Sequence, residues 1–244
     1  MEIATRRCGV LVLAAALSAG AARAGQGLDP AFTAADLEAL TGAVGDALAF
    51  PNLGTASPGG LPGFQLLGAA GGPEIDTGAR WWSYVPHANE IGGFLVGQRV
   101  IARKGLPLNF DVGVQAGKVL GGDLWGADVR WAFVESGVLQ PAAALRVAYS
   151  RLDTSLLDRC EVGEVQIVLS KGFVVLSPYG ALGYRRAHAT ATFGAPQPSG
   201  HTADVSGATA VVGAKLTLLP FLHVFGEVRW TTRTAVFVGL GVGQ

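Results

Sequence analysis

The sequence predicts an all-β protein: an antiparallel transmembrane β-barrel of about ten strands, preceded by one N-terminal amphipathic helix. Three features predict this class. Consecutive segments alternate between apolar and polar residues, the chain is apolar overall without a long unbroken apolar run, and its two longest links fall on one side of the predicted barrel. Alternation with a period of two indicates strands that have one apolar and one polar face.

The segment from 106 to 150 shows this alternation most clearly. Between Trp125 and Phe133, alternate positions are apolar or aromatic, and the positions between them are Gly126, Asp128, Arg130 and Ala132. The runs before and after it alternate in the same way. Neighbouring runs of about ten residues, joined by short links, are typical of a transmembrane barrel.

The composition supports a membrane protein without a membrane helix. Hydrophobic residues make up 50% of the chain and charged residues 15%, below the roughly 25% that is usual in soluble domains. A spanning helix needs roughly 18 or more consecutive apolar residues, and residues 25–244 contain no such run. A barrel fits both facts, because only its outer face must be apolar.

Residues 1–24 predict a secretory signal peptide. Arg6 and Arg7 precede an apolar run at 10–17, and small residues follow up to an A-x-A cleavage site that ends at Ala24. The rest of the chain then divides into residues 25–62, which hold the helix and a linker, and residues 63–244, which form the barrel.

Charge and cysteine content exclude several classes of partner. Cleavage after Ala24 removes three basic residues and one acidic residue, which leaves 15 basic and 17 acidic residues and a net charge of −2. Without a basic excess, nucleic acid is not an expected partner. Cys160 is the one cysteine left, so we expect no internal disulfide. No spacing of ligands predicts a metal site or a cofactor.

One amphipathic helix is predicted at 34–49. Thr33 and Asp36 match an N-terminal capping box, apolar residues recur at helical spacing, and Pro51 ends the run. Residues 52–62 are a linker rich in Gly, Pro and Ser. Two arrangements remain open: a helix that packs on a barrel end, or a plug that enters the lumen from the periplasmic end.

The link lengths support the strand count. The predicted strands are 63–70, 93–103, 106–118, 124–135, 140–150, 159–170, 174–185, 207–218, 222–231 and 235–243. The two longest links, 71–92 and 186–206, fall on the same side. In bacterial barrels the long links face outward and the short turns face the periplasm, so this side is predicted to be the outer one.

The alternation assigns a face to each strand residue. Aromatic residues such as Trp125, Trp131 and Tyr149 fall on the outward face. Because buried charges are costly without partners, inward charges should pair with each other or with water. They either stiffen a narrow lumen or form a path for anions. The predicted lumen-lining residues are Arg99, Arg103, Asp111, Asp128, Arg130, Arg146, Glu164, Arg185, Lys215, Glu227 and Arg229.

The first long link contains an unusual aromatic run. Arg80, Trp81, Trp82 and Tyr84 could bind a ligand, lie at the level of the lipid headgroups, or fold over the barrel mouth.

The second long link contains His188 and His201. With Asp204 and either Ser199 or Ser206, they could in principle form a Ser/His/acid site. Nothing in their spacing requires that geometry. We therefore predict no catalytic residues and a protein that is not an enzyme.

Taken together, residues 1–24 and 63–243 resemble Gram-negative outer-membrane β-barrel proteins as a superfamily. The resemblance implies the outer membrane as location, its lipid as surroundings and the barrel-assembly machinery as a partner during biogenesis. One departure is the C-terminus. Such proteins often end in an aromatic residue, usually Phe, whereas this chain ends in Gly243-Gln244.

Several functions are compatible with this fold. The first is a narrow passive channel, or a barrel that binds a small solute or hydrophobic ligand in a polar, charged lumen. The second is a structural or surface-interaction barrel that acts through its long outer loops. The third is a membrane-embedded enzyme that modifies lipid. A soluble, secreted ligand-binding barrel is disfavoured by the outward aromatic residues.

Overall fold

The computed structural model describes residues 33–85, 90–137, 139–154, 157–191 and 201–243. The predicted signal peptide and residues 192–200 of the second long link lie outside these ranges.

Ten antiparallel strands close into a barrel, which confirms the predicted fold. In the barrel, β1 pairs with both β12 and β4, and β4 to β12 follow one another in order; β2 and β3 form a small separate hairpin. In chain order the strands are β1 (Phe64–Pro73), β2 (Glu90–Ile91), β3 (Phe94–Leu95), β4 (Gly97–Gly105), β5 (Phe110–Val119), β6 (Gly122–Val134), β7 (Ala142–Asp153), β8 (Arg159–Ser170), β9 (Leu176–Ala191), β10 (His201–Leu219), β11 (Leu222–Trp230) and β12 (Thr234–Gly243).

Regular alternation of burial explains why these segments form strands. Along β6, every second residue from Gly122 to Ala132 is buried, and every second residue from Asp123 to Phe133 is exposed. Strand β8 repeats the pattern. Side chains of a strand point alternately to its two faces. The buried set therefore faces the lumen, and the exposed set forms the outer surface.

The largest departure from the predicted strands lies in β9 and β10. Both continue beyond the predicted limits at 185 and 207, and they stay paired as far as Ala191 and His201. Here the inward positions are alanines such as Ala187 and Ala189, and alanine has little strand preference. The predicted placement of His188 and His201 in an outer loop is therefore wrong, because both residues lie in strands.

Helix α1 (Ala34–Leu48) begins with the predicted capping box. The Thr33 hydroxyl accepts a hydrogen bond from the Asp36 backbone N–H, and the Asp36 carboxylate accepts one from the Thr33 backbone N–H at 2.9 Å. These bonds satisfy two N–H groups that a helix start leaves without partners. Nearly every residue from Leu37 to Leu48 is buried, which indicates a helix surrounded by protein on all sides.

The helix lies inside the barrel, and the chain runs along the lumen. The start of α1 lies at the end where β1 leads to β4 and β9 leads to β10, which we call the long-link end; there Asp36 lies 3.7 Å from Arg80. After Leu48, residues 49–63 continue to the opposite end, where short turns join the strands and β1 begins. Of the two arrangements left open by the sequence, the structure has the helix in the lumen.

The outer surface is apolar over most of the strand length and carries aromatic residues near both ends. Near the long-link end, the rings of Trp125 and Tyr149 are 5.6 Å apart. Near the short-turn end, the Phe110 and Trp131 rings are stacked at 6.2 Å. Within the described residues, no helix is long and apolar enough to cross a membrane.

Two glycines of β1 allow a test of the close contact between β1 and β12, the first and last strands of the barrel. Gly71 has a φ of +152°, and a Cβ there would lie 2.1 Å from the Val236 carbonyl oxygen; a Cβ at Gly68 would have no neighbour within 4 Å. We expect Gly71→Ala to lower the free energy of unfolding by about 1–3 kcal/mol and Gly68→Ala to leave it nearly unchanged. Urea unfolding in lipid vesicles, followed by tryptophan fluorescence, measures both. Equal effects would contradict the close β1–β12 contact.

Candidate functional site

The candidate site is the contact between the barrel wall and the N-terminal segment, residues 34–63. On β4, Arg99 donates hydrogen bonds to the carbonyl oxygens of Ala47 at 2.6 Å and Ala49 at 3.1 Å. Four residues further along β4, Arg103 donates to the Leu53 carbonyl oxygen at 3.1 Å. The two arginines therefore bond the backbone of the segment, and they do so independently of its side chains.

At the middle of the lumen, Phe50 is held by two arginines. Its carbonyl oxygen accepts hydrogen bonds from Arg146 at 2.9 Å and Arg229 at 3.2 Å. Its ring lies under the guanidinium groups of Arg146 and Arg103, at 5.2 and 5.6 Å. Arg146 and Arg229 have no exposed surface, and Phe50 is 1% exposed. The centre of the lumen is therefore closed by protein.

Between Phe50 and the short-turn end, oxygen atoms of barrel side chains accept hydrogen bonds from the backbone N–H groups of the N-terminal segment. Glu227 accepts from the backbone N–H groups of Asn52 at 3.2 Å and Leu53 at 2.9 Å. Toward the short-turn end, the Ser170 hydroxyl accepts from the Ala56 N–H at 2.8 Å, and Asp111 accepts from the Gly59 N–H at 3.0 Å. Arg130 donates to the Asn52 side-chain oxygen at 2.5 Å and to the Thr55 carbonyl oxygen.

The wall charges also pair with each other. Arg146 Nε lies 2.7 Å from the Asp128 carboxylate, which is 3.5 Å from Arg103 as well. Arg229 donates to both oxygens of Glu164, at 2.7 and 2.8 Å. Each buried cation thus has an acidic partner or a carbonyl oxygen, which offsets the cost of removing it from water.

Helix α1 is held by small residues and by one buried ion pair. A Cβ at Gly45 would lie 2.7 Å from the Cβ of Ala187, so a larger residue would push the helix away from β9. Asp46 lies 2.5 Å from Arg185 and accepts from the Thr231 hydroxyl at 2.7 Å.

The start of the helix is fastened at the long-link end. Hydrogen bonds from Thr33 lower the pKa of the Asp36 carboxyl, and Arg80 contributes in the same direction. Arg80 opens a 3-10 turn, Arg80–Tyr84, in which Trp81 and Trp82 are buried against the helix and its neighbours. For Trp81 and Trp82, the structure shows the predicted role in which the aromatic run folds over the barrel mouth.

The structure places the eleven predicted lumen residues on the inner wall. Nine are buried, and Asp111 and Lys215 are half-buried. The last two, with Arg103, Arg130 and Gly59, line a cleft of about 220 Å³ at the short-turn end.

Prediction from the sequence missed two kinds of residue at this site. Gln115, Ser150 and Gln166 are uncharged, yet they bond within the same network, as in the 2.8 Å hydrogen bond from Gln115 to the Ser150 hydroxyl. Their inward alternation would have identified them. Phe50 lies between the predicted helix and the predicted linker, and Asn52 is the first residue of that linker. A hydrogen bond accepted by a backbone carbonyl oxygen does not depend on the side chain, so the sequence does not reveal it.

Among the residues that the structure describes, the histidines do not form a Ser/His/acid site; Ser199 lies outside the described ranges. His188 Nδ1 lies 3.2 Å from Asp204, but the Ser206 hydroxyl accepts a hydrogen bond from Tyr184 at 2.8 Å. The other ring nitrogen of His188 faces Thr190 at 3.5 Å, which is too long for a well-formed hydrogen bond. Among the described residues, no group of three or more His, Cys, Asp or Glu could hold a metal ion.

Comparison with known proteins assigns no family. No protein-family model and no curated protein matches the chain. Similar solved structures include the N-terminal β-barrel domain of OprF from Pseudomonas aeruginosa, with 11% identity over 76% of this chain and 99% of that one and a TM-score of 0.39. Another is Ail, the attachment invasion locus protein of Yersinia pestis, crystallised with the heparin analogue sucrose octasulfate, with 13% identity over 74% and 95% and a TM-score of 0.34.

A de novo designed transmembrane β-barrel has 13% identity over 75% of this chain and 96% of that one, with a TM-score of 0.32. The class of the protein rests on its own architecture. A closed ten-strand antiparallel barrel with an apolar outer face confirms the predicted resemblance to outer-membrane β-barrel proteins, without a specific family.

Arg146 provides a direct test of the lumen network. Arg146→Met removes the bonds to Phe50, Asp128 and Gln166, and it leaves the Asp128 charge with a weaker partner. We expect the free energy of unfolding to fall by about 3–5 kcal/mol. The matched control is Arg159→Met, because Arg159 is exposed on the outer face and exposed ion pairs contribute little. Urea midpoints in vesicles compare the two, and similar values would contradict a stabilising lumen network.

Proposed function

We propose that this protein is a Gram-negative outer-membrane β-barrel that its own N-terminal segment closes to solutes. Its function is then structural, or an interaction with a surface partner, at the long-link end. The observation that carries the proposal is the ring around Phe50, where Arg146 and Arg229 bond its carbonyl oxygen and leave no exposed surface at the centre of the lumen.

The outer face supports a membrane location. Large apolar side chains on every barrel strand point outward and are exposed, including Val100, Val129, Ile167 and Leu240. A continuous apolar surface of this size is unfavourable in water but is required in lipid. Aromatic residues near both strand ends fit the two interfaces of a bilayer.

The filled lumen favours a closed barrel over a passive channel. A channel needs a continuous water-filled path, whereas the inward charges of this barrel bond the N-terminal segment and each other. The segment also occupies the space in which a small hydrophobic ligand would otherwise bind. In this proposal, the charged side chains of the lumen hold the N-terminal segment in place.

The extended β9–β10 hairpin supports a role at the long-link end. β9 has 16 residues and β10 has 19, against 9 or 10 in strands such as β11 and β12. The upper part of this hairpin carries polar outward residues, including Arg186, His188 and Asp204. In an outer-membrane orientation, long links face outward, so this surface would be available to a partner outside the cell.

Conductance in planar bilayers tests the closed barrel. We expect the full chain to insert without stable single-channel currents, because the segment fills the lumen. A variant without residues 34–51 is expected to conduct, provided that heat-modifiable migration on gels shows a folded barrel. Stable currents from the full chain would contradict the proposal, and extraction of the protein into plain buffer would contradict its membrane location.

A further inference from the structure

The barrel wall is taller at β9 and β10 than at the neighbouring β11. Pairing between β10 and β11 stops at Ala210, opposite Trp230, whereas pairing between β10 and β9 continues to His201. Residues 201–209, which we call the β10 edge, therefore have a neighbouring strand on one side alone. Among the described strands, the other neighbours finish nearly level at the long-link end.

Alternate backbone groups of the β10 edge point to its open side. The Thr217 N–H donates to the carbonyl oxygen of Val175, the residue before β9, at 2.8 Å, and the β9–β10 register is regular from 201 to 216. Because backbone groups of a strand alternate between its two sides, the odd-numbered residues bond β9. The residues that turn their N–H and C=O groups to the open side are Thr202, Asp204, Ser206 and Ala208. Among the described residues, these backbone groups have no hydrogen-bond partner.

The β10 edge lacks the features that usually protect an open strand. Proline, lysine, a bulge or an inward-pointing charge keeps many natural strand edges from pairing with other chains. Residues 201–209 contain no proline, lysine or arginine. Asp204 points outward, where it pairs with Arg186, and the register with β9 has no bulge here. The edge can therefore accept a further strand.

The β10 edge lies beyond the apolar band of the outer face. Its outward residues are small or polar, as at Ser206 and Ala208, whereas Val212 further down the same strand is 58% exposed. Unpaired backbone groups are very unfavourable in lipid and are hydrated in water. In the proposed orientation, the edge is therefore in water outside the cell.

The inner side of the β10 edge is incompletely covered. Val205 faces helix α1, and its Cγ1 lies 3.9 Å from a Cβ built on Gly42, yet Val205 is only half-buried. Its register partner on β9, Ala187, has no exposed surface. Val205 has a strand on one side and none on the other. A strand on the open side would cover it, and small apolar side chains would suit that strand's inner face.

We infer that the β10 edge binds an extended segment of a partner protein outside the cell, as an added antiparallel strand that continues the β10–β11 ladder. This inference deepens the proposed function, and it rests on it. Backbone hydrogen bonds would supply the affinity, and alternate side chains would supply the specificity. The segment would carry small apolar residues toward α1 and polar residues on its outer face.

A second copy in the same membrane does not fit the edge. Two such copies are related by a rotation about the membrane normal, and barrel strands are tilted from that normal by about 35–45°. This rotation cannot make the two β10 strands antiparallel. If the two strands are instead parallel, their open sides face the same direction and cannot meet.

The link 192–200 of this chain is also a poor occupant. It must first join Ala191 to His201 across the end of the hairpin. Its residues Pro196 and Pro198 have no N–H to donate to a neighbouring strand.

A synthetic strand peptide tests the inference. The probe is a fluorescent peptide of about eight residues, the length of an ordinary strand, in which Thr and Val alternate. Its binding to the full-length protein in lipid nanodiscs is followed by fluorescence anisotropy. Paired residues of neighbouring strands point to the same face, so the Thr amides would bond β10. We expect N-methylation of the Thr amides to weaken binding by about tenfold and N-methylation of the Val amides to leave it unchanged.

Two substitutions at Ser206 provide a matched pair. Ser206→Pro and Ser206→Val both remove the hydroxyl that accepts from Tyr184, but only Ser206→Pro removes the N–H on the open side. Proline is tolerated at such edge positions. We expect Ser206→Pro to weaken peptide binding by about tenfold and Ser206→Val to bind as the parent protein does.

Amide hydrogen exchange distinguishes the possible occupants. An N–H group that bonds a neighbouring strand exchanges slowly. In the free protein we expect the Ser206 N–H to exchange faster than the Val205 N–H, and the peptide to slow it. Slow exchange at Ser206 without peptide would mean that this chain covers its own edge, which overturns the inference. No saturable binding, equal binding by the two Ser206 variants, or binding insensitive to N-methylation also overturns it.

Two controls separate this inference from the proposed function. Heat-modifiable migration shows whether each variant is folded, and the N-methylated peptides keep the test valid if Ser206→Pro is not. If the parent protein fails to insert into vesicles, the membrane location is wrong and the inference falls with it. If it inserts without currents but does not bind the peptide, only the inference is wrong.

Discussion

The bonds between wall arginines and the carbonyl oxygens of residues 47–55 are the interaction on which the rest of the structure depends. An extended segment inside a barrel has no neighbouring strand, so its buried backbone groups would lack partners. A guanidinium group offers five donors at the end of a long side chain. Arg99, Arg146 and Arg229 can therefore reach from the wall and replace the missing strand.

This arrangement explains why the lumen contains both signs of charge. Arginines without acidic partners would repel one another, and Asp128 and Glu164 lie between them. Glu227 has a second role, because it accepts from two N–H groups of the segment. The charges of wall and segment form one network. A change at one member should therefore affect the position of the whole segment.

The inner and outer faces of the same strands carry different kinds of side chain. Inward, small residues such as Ala187 leave room for the helix, and long charged residues fill the remaining space. Outward, apolar side chains are exposed along the described strands, and charged residues such as Arg159 and Lys104 lie near the strand ends. Outward ion pairs such as Arg159–Glu161 and Arg186–Asp204 lie at the long-link end, which makes the barrel asymmetric along its axis. That asymmetry, together with the length of β9 and β10, is what distinguishes the two ends chemically.

The sequence by itself determined the barrel, its strand number and the face of each strand residue, because alternation with a period of two depends only on local geometry. It also indicated the helix cap at Thr33 and Asp36. Tertiary structure decided the path of residues 49–63, the burial of Trp81 and Trp82, and the strand positions of His188 and His201. These features depend on backbone carbonyl oxygens and on contacts between distant residues, and neither leaves a periodic pattern in the sequence.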